Sequence, residues 1–361
     1  MNIKTPKTSG IKYAGSKLKI IPHIISLISE LKGVKKVLDG FSGTTRVAQA
    51  FAQLGYHTTA SDISLWSDVV GHCFLKSSKK DSFYQEMIDH LNSLKGYHGW
   101  YTEHYGSDLL EVKRPFQSKN TRKLDAIRDE IEKMNLPWED KSVLLTSLIF
   151  ALDKVDNTLG HYVSYLSKWS QRSHNDLLLT LPQRFPVNPS HHHVVRGDVF
   201  QTVASDQYDF VYLDPPYGSN NDKMPTSRVR YASYYHIWTT IIKNDQPKLF
   251  GKANRREDGR DIFASSVFED FRKSSDGSFI AMNALDELIQ KINSKYILLS
   301  YSSGGRSTKN ELHHIINKSG TLLNAIEINY KKNVMANMRW TNDWINSDGK
   351  YLEYLFLMKK Y

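Results

Sequence analysis

The sequence predicts an α/β protein whose sheet carries helices on both faces, with a long, mostly helical region inserted into it. Short apolar stretches rich in β-formers alternate with amphipathic helical patterns near both ends of the chain. Several of these stretches end in an acidic residue, and ligands of open α/β sheets lie just beyond the carboxyl ends of the strands. Between residues 71 and 189 the pattern changes to helices and polar connections, which predicts the insertion.

Composition narrows the function classes. The chain of 361 residues suits about two domains, or one large α/β domain with an insertion. Its net charge of +10 favours a polyanionic partner such as nucleic acid, although a merely basic surface also explains it. Cys73 is the only cysteine, which excludes a disulfide framework and a cysteine metal cluster. Residues 1–9 predict no signal peptide and no apolar run is long enough to span a membrane, so we expect a cytoplasmic protein without membrane contact.

The first folded stretch, residues 13–17, places a Gly-Ser turn ahead of a helix predicted over residues 18–31. Ser16 is the predicted cap of that helix, whereas Pro22 predicts either a kink or a later start. Lys17 beside a helix N-terminus predicts an anion site, although a capped helix explains the pattern equally well.

A strand-turn-helix-strand unit follows. Residues 34–38 predict a strand, residues 46–54 a helix and residues 56–60 a second strand ahead of Asp62. Glycines let a ligand approach the intervening turn, and a carboxylate roughly twenty residues on can bind both hydroxyls of a ribose. The turn lacks the dinucleotide fingerprint, and Asp39 would repel a pyrophosphate. A nucleoside without phosphates therefore fits better, S-adenosylmethionine being the common one; a plain strand-turn-helix is the alternative.

The insertion and the segment after it predict further helices and one strand. The helices are expected over residues 83–94, 121–134 and 142–155. The cationic and aromatic segment around Lys168 suits contact with nucleic acid as well as it suits a half-buried helix. Three consecutive histidines, 191–193, predict no metal site, because neighbours on a strand point to opposite faces. Residues 194–200 predict a strand ending in Gly-Asp, with Asp198 placed to accept a hydrogen bond from the amino group of a bound adenine and Val199 or Phe200 against its ring.

The stretch 208–217 is the most informative part of the chain. A buried strand ends abruptly in Asp214, Pro215, Pro216 and Tyr217. The prolines remove N–H donors and fix φ, so the carbonyls of Asp214 and Pro215 are free to point into a pocket. With the Asp214 carboxylate they offer acceptors for an amino group carrying two hydrogens, and Tyr217 offers a flat surface on which a base can stack. The alternative is ordinary Asp-Pro turn chemistry.

The last third of the chain combines basic loops with closing strands. Residues 218–230 predict a mobile polar loop, and residues 231–238 an aromatic cluster that begins a helix. Residues 243–261 predict a basic loop, for which DNA contact is the preferred interpretation and a solvated surface the alternative. The candidate DNA contacts of this region are Tyr235, His236, Lys252, Arg255 and Arg256. The remaining pattern predicts helices over 285–292 and 311–318, a strand over 296–302, and closing strands over 327–332 and 351–359 on either side of a loop at 340–350.

The order of these motifs resembles one family. Residues 13–17, residues 39–45, the acids Asp62 and Asp198, and then residues 214–217 resemble the DNA adenine methyltransferases of the Dam and FokI-methylase type, the alpha-ordered amino-methyltransferases. Two departures stand out: Thr45 occupies the place of the last glycine of the turn, and Tyr13 replaces the common tryptophan. The resemblance implies a Rossmann-like methyltransferase sheet in residues 1–70 and 190–361, and a target-recognition region in residues 71–189.

The resemblance also implies roles for individual residues. Asp214, Pro215, Pro216 and Tyr217 would be catalytic. Lys17 would pair with the methionine carboxylate of S-adenosylmethionine, and Asp62 would bind its ribose. The full set of implied cofactor contacts is Tyr13, Lys17, Asp39, Phe41, Ser42, Gly43, Thr44, Asp62, Asp198 and Val199.

The function that follows is methylation of the adenine amino group in a specific duplex DNA sequence. We expect a modification enzyme of a restriction-modification system, with a cognate restriction endonuclease as a partner and the target base flipped out of the duplex. The alternatives are an RNA adenine methyltransferase and a non-catalytic nucleic-acid-binding protein that has kept a vestigial cofactor fold.

Overall fold

The computed structural model describes residues 4–109, 113–218, 230–260, 266–329 and 352–361. In chain order the strands are β1 (Lys36–Asp39), β2 (His57–Asp62), β3 (Gly106–Ser107), β4 (Phe116–Gln117), β5 (His193–Arg196), β6 (Tyr208–Leu213), β7 (Leu249–Phe250), β8 (Arg255–Arg256), β9 (Ser294–Ser302), β10 (Gly320–Asn329) and β11 (Leu352–Lys360). A seven-stranded sheet has the order β10-β11-β9-β6-β1-β2-β5. Five of its strands pair in parallel: β1, β2, β5, β6 and β9. The strand β11 runs antiparallel between β9 and β10.

Helices surround the sheet. They are α1 (Ile21–Ser29), α2 (Arg46–Gln53), α3 (Leu65–Gly71), α4 (Asp81–Ser93), α5 (Trp100–Tyr105), α6 (Ser118–Lys133), α7 (Trp138–Leu152), α8 (Val199–Ser205), α9 (Tyr231–Tyr234), α10 (His236–Lys243), α11 (Ile280–Lys291) and α12 (Lys309–Ser319). A π-helical turn, His72–Lys76, continues α3. Every helix predicted from apolar periodicity is present, with its ends moved by a few residues.

Both faces of the sheet are buried, as the sequence predicts. Val37 and Phe210 pack on one face against α1 and α2. Their chain neighbours Leu38 and Val211 pack on the other face against α8, α11 and α12. Because successive side chains of a strand point to opposite faces, continuous apolar strands are what a sheet with two covered faces requires. The strand order and the two covered faces confirm the predicted Rossmann-like α/β class.

Three local predictions are wrong. The first helix begins at Ile21 with Pro22 in its first turn, so the later start is correct and Ser16 is not its cap. The strand predicted over 194–200 ends at Arg196, because Asp198 caps α8 by accepting a hydrogen bond from Phe200 N at 2.9 Å. The penultimate strand begins at Gly320, well before the predicted start.

Some predictions fall partly outside the described residues. These are most of the loop at 218–230, the end of the basic loop at 261, the end of the strand at 327–332 and the loop at 340–350.

The helical region is larger than the predicted insertion. Trp66 on α3 and Trp238 on α10 share one buried cluster with Leu144 and Ile127 of the insertion. Arg128 is fully buried, and its guanidinium donates to the carbonyls of Ile241 (2.5 Å) and Ile242 (3.0 Å) at the end of α10. The helical body therefore includes segments on both sides of the boundaries expected at residues 71 and 189. Within the described ranges, each helix is too short or too polar to cross a membrane.

Candidate active site

Two acidic residues meet where β1 and β6 end. After β1 the chain continues to β2 and β5 on one side of the sheet, and after β6 it continues to β9 on the other side. The crevice between the ends of β1 and β6 is therefore the topological switch point of the sheet. Asp39 is the last residue of β1 and Asp214 directly follows β6. Gly40 N donates to Tyr212 O at 2.9 Å and joins the two strand ends. The predicted turn and the predicted Asp-Pro-Pro-Tyr loop therefore share one edge of the sheet.

Backbone amides hold the first turn. Asp39 is 1% exposed, and its Oδ2 accepts a hydrogen bond from Ala48 N at 3.0 Å. Its Oδ1 has no hydrogen-bond partner among the described residues, although it is buried. Burial raises the pKa of Asp39 well above its ordinary value, and the neighbouring carboxylates of Asp214 and Asp62 raise it further. An unpartnered buried acceptor at this edge fits a ligand that brings a hydrogen-bond donor.

Asp62 is tied to the same turn. Its Oδ2 accepts from Gly43 N (2.9 Å) and its Oδ1 from Ser64 N (2.8 Å). Gly43 has φ +50°, and a Cβ there would lie 3.1 Å from Cε1 of Tyr13. The backbone is therefore close-packed under the predicted nucleoside site, and a glycine is needed for both reasons. Burial raises the pKa of Asp62.

Thr45 stands where the resemblance implies the last glycine of the turn, and its backbone adopts a conformation that favours glycine. Its φ is +57°, in the left-handed region that β-branched residues rarely adopt. Its side chain is fully buried, and Oγ1 accepts from Gln49 Nε2 at 3.1 Å. The glycine-like turn thus survives the substitution. Ser42 and Thr44, beside it, are also buried.

An aromatic wall flanks the turn. Phe41 packs edge-on against Phe268, with ring centroids 5.0 Å apart, and Phe200 stacks on Phe268 at 5.8 Å. Val199 lies under Gly40, and its Cγ2 would be 3.4 Å from a Cβ at that glycine. Phe268 comes from a distant segment, and sequence reasoning missed it. Asp198 is exposed and caps α8, beside this wall.

Side chains, by contrast, hold Asp214. Its Oδ1 accepts a hydrogen bond from Lys17 Nζ at 2.9 Å and another from the Tyr217 hydroxyl. Neither of these donors occupies its Oδ2. Lys17 is 8% exposed, and its remaining two N–H groups face Glu353 Oε1 (3.3 Å) and the carbonyl of Gly15 (3.2 Å). An ammonium has three donors, so Lys17 is satisfied without the predicted cofactor carboxylate. The pairing of Lys17 with the methionine carboxylate of the cofactor stays a prediction.

Glu353 and Ser300 complete the network, and sequence reasoning missed both as site residues. The Tyr217 hydroxyl lies 2.6 Å from Glu353 Oε1 and 3.1 Å from Ser300 Oγ. The centroid of the Tyr217 ring lies 4.8 Å from Lys17 Nζ and 4.8 Å from the centroid of the Tyr301 ring. The one available signal was a glutamate inside the otherwise apolar stretch that forms β11.

The charges of this network shift its pKa values. The pKa of Asp214 is raised to about 6, because the increase caused by burial and by the charge of Glu353 exceeds the decrease caused by Lys17 and the hydrogen bonds. Burial lowers the pKa of Lys17, but Asp214 and Glu353 together raise it by more, so it remains an ammonium. Burial also raises the pKa of Tyr217 well above its ordinary value, which keeps its hydroxyl protonated.

The residues predicted to contact DNA divide into two groups. Tyr235, His236 and Arg256 are at most 2% exposed. Tyr235 stacks on Trp238 and its hydroxyl accepts from Ala14 N, His236 pairs with the Tyr162 carbonyl, and Arg256 binds Asp245 and Asp258. These three are engaged inside the fold, so we do not carry them forward as DNA contacts. Lys168 and Lys252 are exposed, and the half-buried Arg255 lies 4.6 Å from the Phe250 ring centroid.

Other proteins share this sequence pattern. A family model described as "D12 class N6 adenine-specific DNA methyltransferase" matches residues 13–312. The modification methylase StsI of Streptococcus sanguinis is 29% identical over 85% of this chain and 46% of its own length. The type II methyltransferase M.NlaIII of Neisseria lactamica is 26% identical over 96% of this chain and 99% of its own. For M.FokI of Planomicrobium okeanokoites the identity is 24%, over 97% of this chain and 53% of that protein. The chain thus spans about half the length of StsI and M.FokI and nearly all of M.NlaIII.

Proposed function

Because the chain belongs to the D12 class of N6 adenine-specific DNA methyltransferases, we propose that it transfers a methyl group from S-adenosylmethionine to the exocyclic amino group of adenine in a specific duplex DNA sequence. The observation that carries the proposal is the shared edge of Asp39 and Asp214, which brings a nucleoside-binding turn beside a loop of amine acceptors.

The Asp214 loop is suited to an amino group. Oδ1 is held by Lys17 and Tyr217, which leaves Oδ2 as the acceptor for one N–H of the target. No backbone N–H of the described residues donates to the carbonyl of Pro215, so it can accept the second N–H. With both hydrogens engaged, the nitrogen lone pair is directed out of the plane of the base. Asp214 also stabilises the positive charge that develops on that nitrogen.

The first turn is suited to the cofactor. Asp39, Gly43 and Asp62 would hold it, with Phe41 and Val199 beside its base and Asp198 next to them. When bound, the cofactor supplies a methyl group already activated by a sulfonium, so alignment matters more than acid-base assistance. The unpartnered Oδ1 of Asp39 supports this use, since it lacks a donor among the described residues.

The DNA contacts follow from cations that are exposed or half-buried. Lys168, Lys252 and Arg255 lie on the helical region, and phosphate contacts of this kind fix the position of the duplex without reading its bases. The target adenine would be flipped out of the duplex to reach Asp214. We also propose a bacterial cytoplasmic enzyme of a restriction-modification system with a cognate endonuclease, on the strength of relatives named modification methylases and type II methyltransferases.

Mapping methylated adenines in DNA from cells that express the chain tests the proposal. We expect N6-methyladenine at one short sequence, and transfer in vitro from labelled S-adenosylmethionine to duplex DNA carrying that sequence. Transfer to structured RNA but not to DNA would identify an RNA methyltransferase. Cofactor and DNA binding without transfer to either would identify a non-catalytic binding protein.

A further inference from the structure

We propose that Glu353 is a positioning residue for methyl transfer: it anchors the Lys17 ammonium, which holds one oxygen of Asp214 so that the other remains available to the target amine, and it shares the single proton of the Tyr217 hydroxyl with Asp214. This inference rests on the function proposed above. It assigns a role to a residue from the last strand of the sheet, far from every motif of the cofactor turn and the Asp-Pro-Pro-Tyr loop.

The contacts of Glu353 converge on one atom. Glu353 is 5% exposed, and its Oε1 lies 2.6 Å from the Tyr217 hydroxyl, 2.8 Å from Ser300 Oγ and 3.3 Å from Lys17 Nζ. A buried carboxylate is costly unless donors surround it. Here each of the three donors comes from a different segment, so Glu353 joins the N-terminal segment, the catalytic loop and β9.

The sheet itself places these groups. β6 pairs with β9, where Leu213 is opposite Leu299, and β9 pairs with β11, where Ser302 is opposite Glu353. Asp214, directly after β6, therefore lies at one edge of the sheet beside Ser300 of β9 and Glu353 of β11. Backbone pairing fixes their spacing, which makes Glu353 a rigid anchor for the more flexible side chains of Lys17 and Tyr217.

The proton count of the network has a consequence. The Tyr217 hydroxyl has one proton but lies within hydrogen-bond distance of both carboxylates. It donates to one of them at a time, and Ser300 and Lys17 still donate to Glu353 when Asp214 takes that proton. The negative charge of Glu353 opposes ionisation of Asp214, and Lys17 favours it.

Other charged or titratable groups also face Asp214. They are Tyr13 from the N-terminal segment, Asp39 at the end of β1, Tyr212 on β6, Tyr217 in its own loop and Tyr231 on α9. Burial raises the pKa of each of these five groups, so the tyrosines stay neutral. Lys17 and Glu353 are the two charged groups that shift the pKa of Asp214 most, Lys17 lowering it and Glu353 raising it.

Single-turnover methyl transfer by Glu353→Ala and Glu353→Gln tests the role. Without its anchor, the Glu353→Ala enzyme should transfer about 10- to 100-fold more slowly, with unchanged affinity for the cofactor and unchanged KM for DNA. Glu353→Gln keeps an oxygen acceptor but removes the charge. It should retain most of the rate at pH 8, and the acid limb of its pH-rate profile should move to lower pH. Glu327→Gln, an exposed glutamate on the adjacent strand β10, is the matched control.

Three results would overturn the inference. One is a wild-type rate in Glu353→Ala. Another is an acid limb in Glu353→Gln that stays where the wild-type enzyme has it, a readout that also decides the matter if the alanine variant does not fold. The third is loss of cofactor binding in both variants, which would mark Glu353 as merely structural. A wild-type chain without methyl transfer to any adenine in DNA is a different failure, since it overturns the proposed function first and this role with it.

Discussion

The acids of the first turn and the acid of the catalytic loop lie at one edge of the sheet, yet they are held differently. Asp39 and Asp62 accept hydrogen bonds from backbone amides, whereas Asp214 is held by the side chains of Lys17 and Tyr217. Backbone donors are fixed once the turn folds, but side-chain donors depend on protonation and on residues from separate segments. Under the proposed function, the backbone-held acids would form a rigid site for the cofactor, and Asp214 would be a group of adjustable protonation that binds the target amine.

Replacing Asp214 by alanine tests the acid that is held by side chains, and it should have the largest effect on methyl transfer. The variant loses the acceptor of the target amine and the group that stabilises its developing charge, so single-turnover transfer should fall about 10³-fold. Cofactor affinity, measured by calorimetry, should be unchanged. Asp206→Ala, at the opposite end of β6, is the control and should keep full activity. An Asp214→Ala enzyme as active as the control would end the catalytic assignment.

The pH dependence of methyl transfer tests whether the ionised form of Asp214 is required, and it should have the second largest effect. Burial raises the pKa of Asp214 to about 6, and only the ionised carboxylate has both oxygens available as acceptors. Activity should therefore be full above that pH and fall about tenfold per unit below it. The measurement is single-turnover transfer from pH 5 to 8 with cofactor and DNA both saturating. A flat profile over this range would contradict the role of Asp214.

Asp39→Asn tests the acids that are held by backbone amides. The amide keeps an oxygen for Ala48 N but removes the charge and one acceptor, so cofactor affinity should fall about tenfold, or about 1.4 kcal/mol. Transfer at saturating cofactor should be close to that of the wild-type enzyme. Unchanged affinity in this variant would exclude Asp39 from the cofactor site, and Asp206→Asn controls for the loss of a carboxylate elsewhere.

Thr45→Gly should have the smallest effect. Glycine relieves a left-handed strain of roughly 1 kcal/mol but loses the hydrogen bond from Gln49, worth about the same. Thermal stability and cofactor affinity should both stay close to the wild-type values. Gly43→Ala is the informative partner, because it adds strain and a close contact with Tyr13 and should weaken cofactor binding. A large loss in Thr45→Gly would show that the threonine side chain itself contributes to the site.

The parts of the site that were predictable are local in sequence. Asp39, Gly43 and Asp62 fall within one strand-turn-helix-strand unit, and Asp214 to Tyr217 are contiguous. The fold class was predictable for the same reason, since continuous apolar strands alternate with helical patterns. Local patterns carry both pieces of information because hydrophobic periodicity and turn chemistry act over a few residues.

The parts that were not predictable depend on tertiary contacts. Glu353, Ser300 and Phe268 reach the site from strands and loops distant in sequence, and no local pattern announces their neighbours. Lys17 is beside a turn that suits an anion, but the structure surrounds it with the protein's own carboxylates. Tyr235 and His236 belong to an aromatic cluster that composition alone cannot distinguish from an exposed stacking surface; packing against Trp238 and Tyr162 buries them.

The acidic crowding at this edge has a consequence for turnover. The single ammonium of Lys17 faces the two carboxylates of Asp214 and Glu353, so one positive charge is set against two negative ones. Asp39 and Asp62 lie nearby, although burial raises the pKa of both and so reduces their share of the charge. A site with surplus negative potential attracts a sulfonium cation more than the uncharged thioether that remains once the methyl group has left. The same imbalance would then help the spent cofactor to depart, and added salt should narrow the difference between the affinities for donor and product.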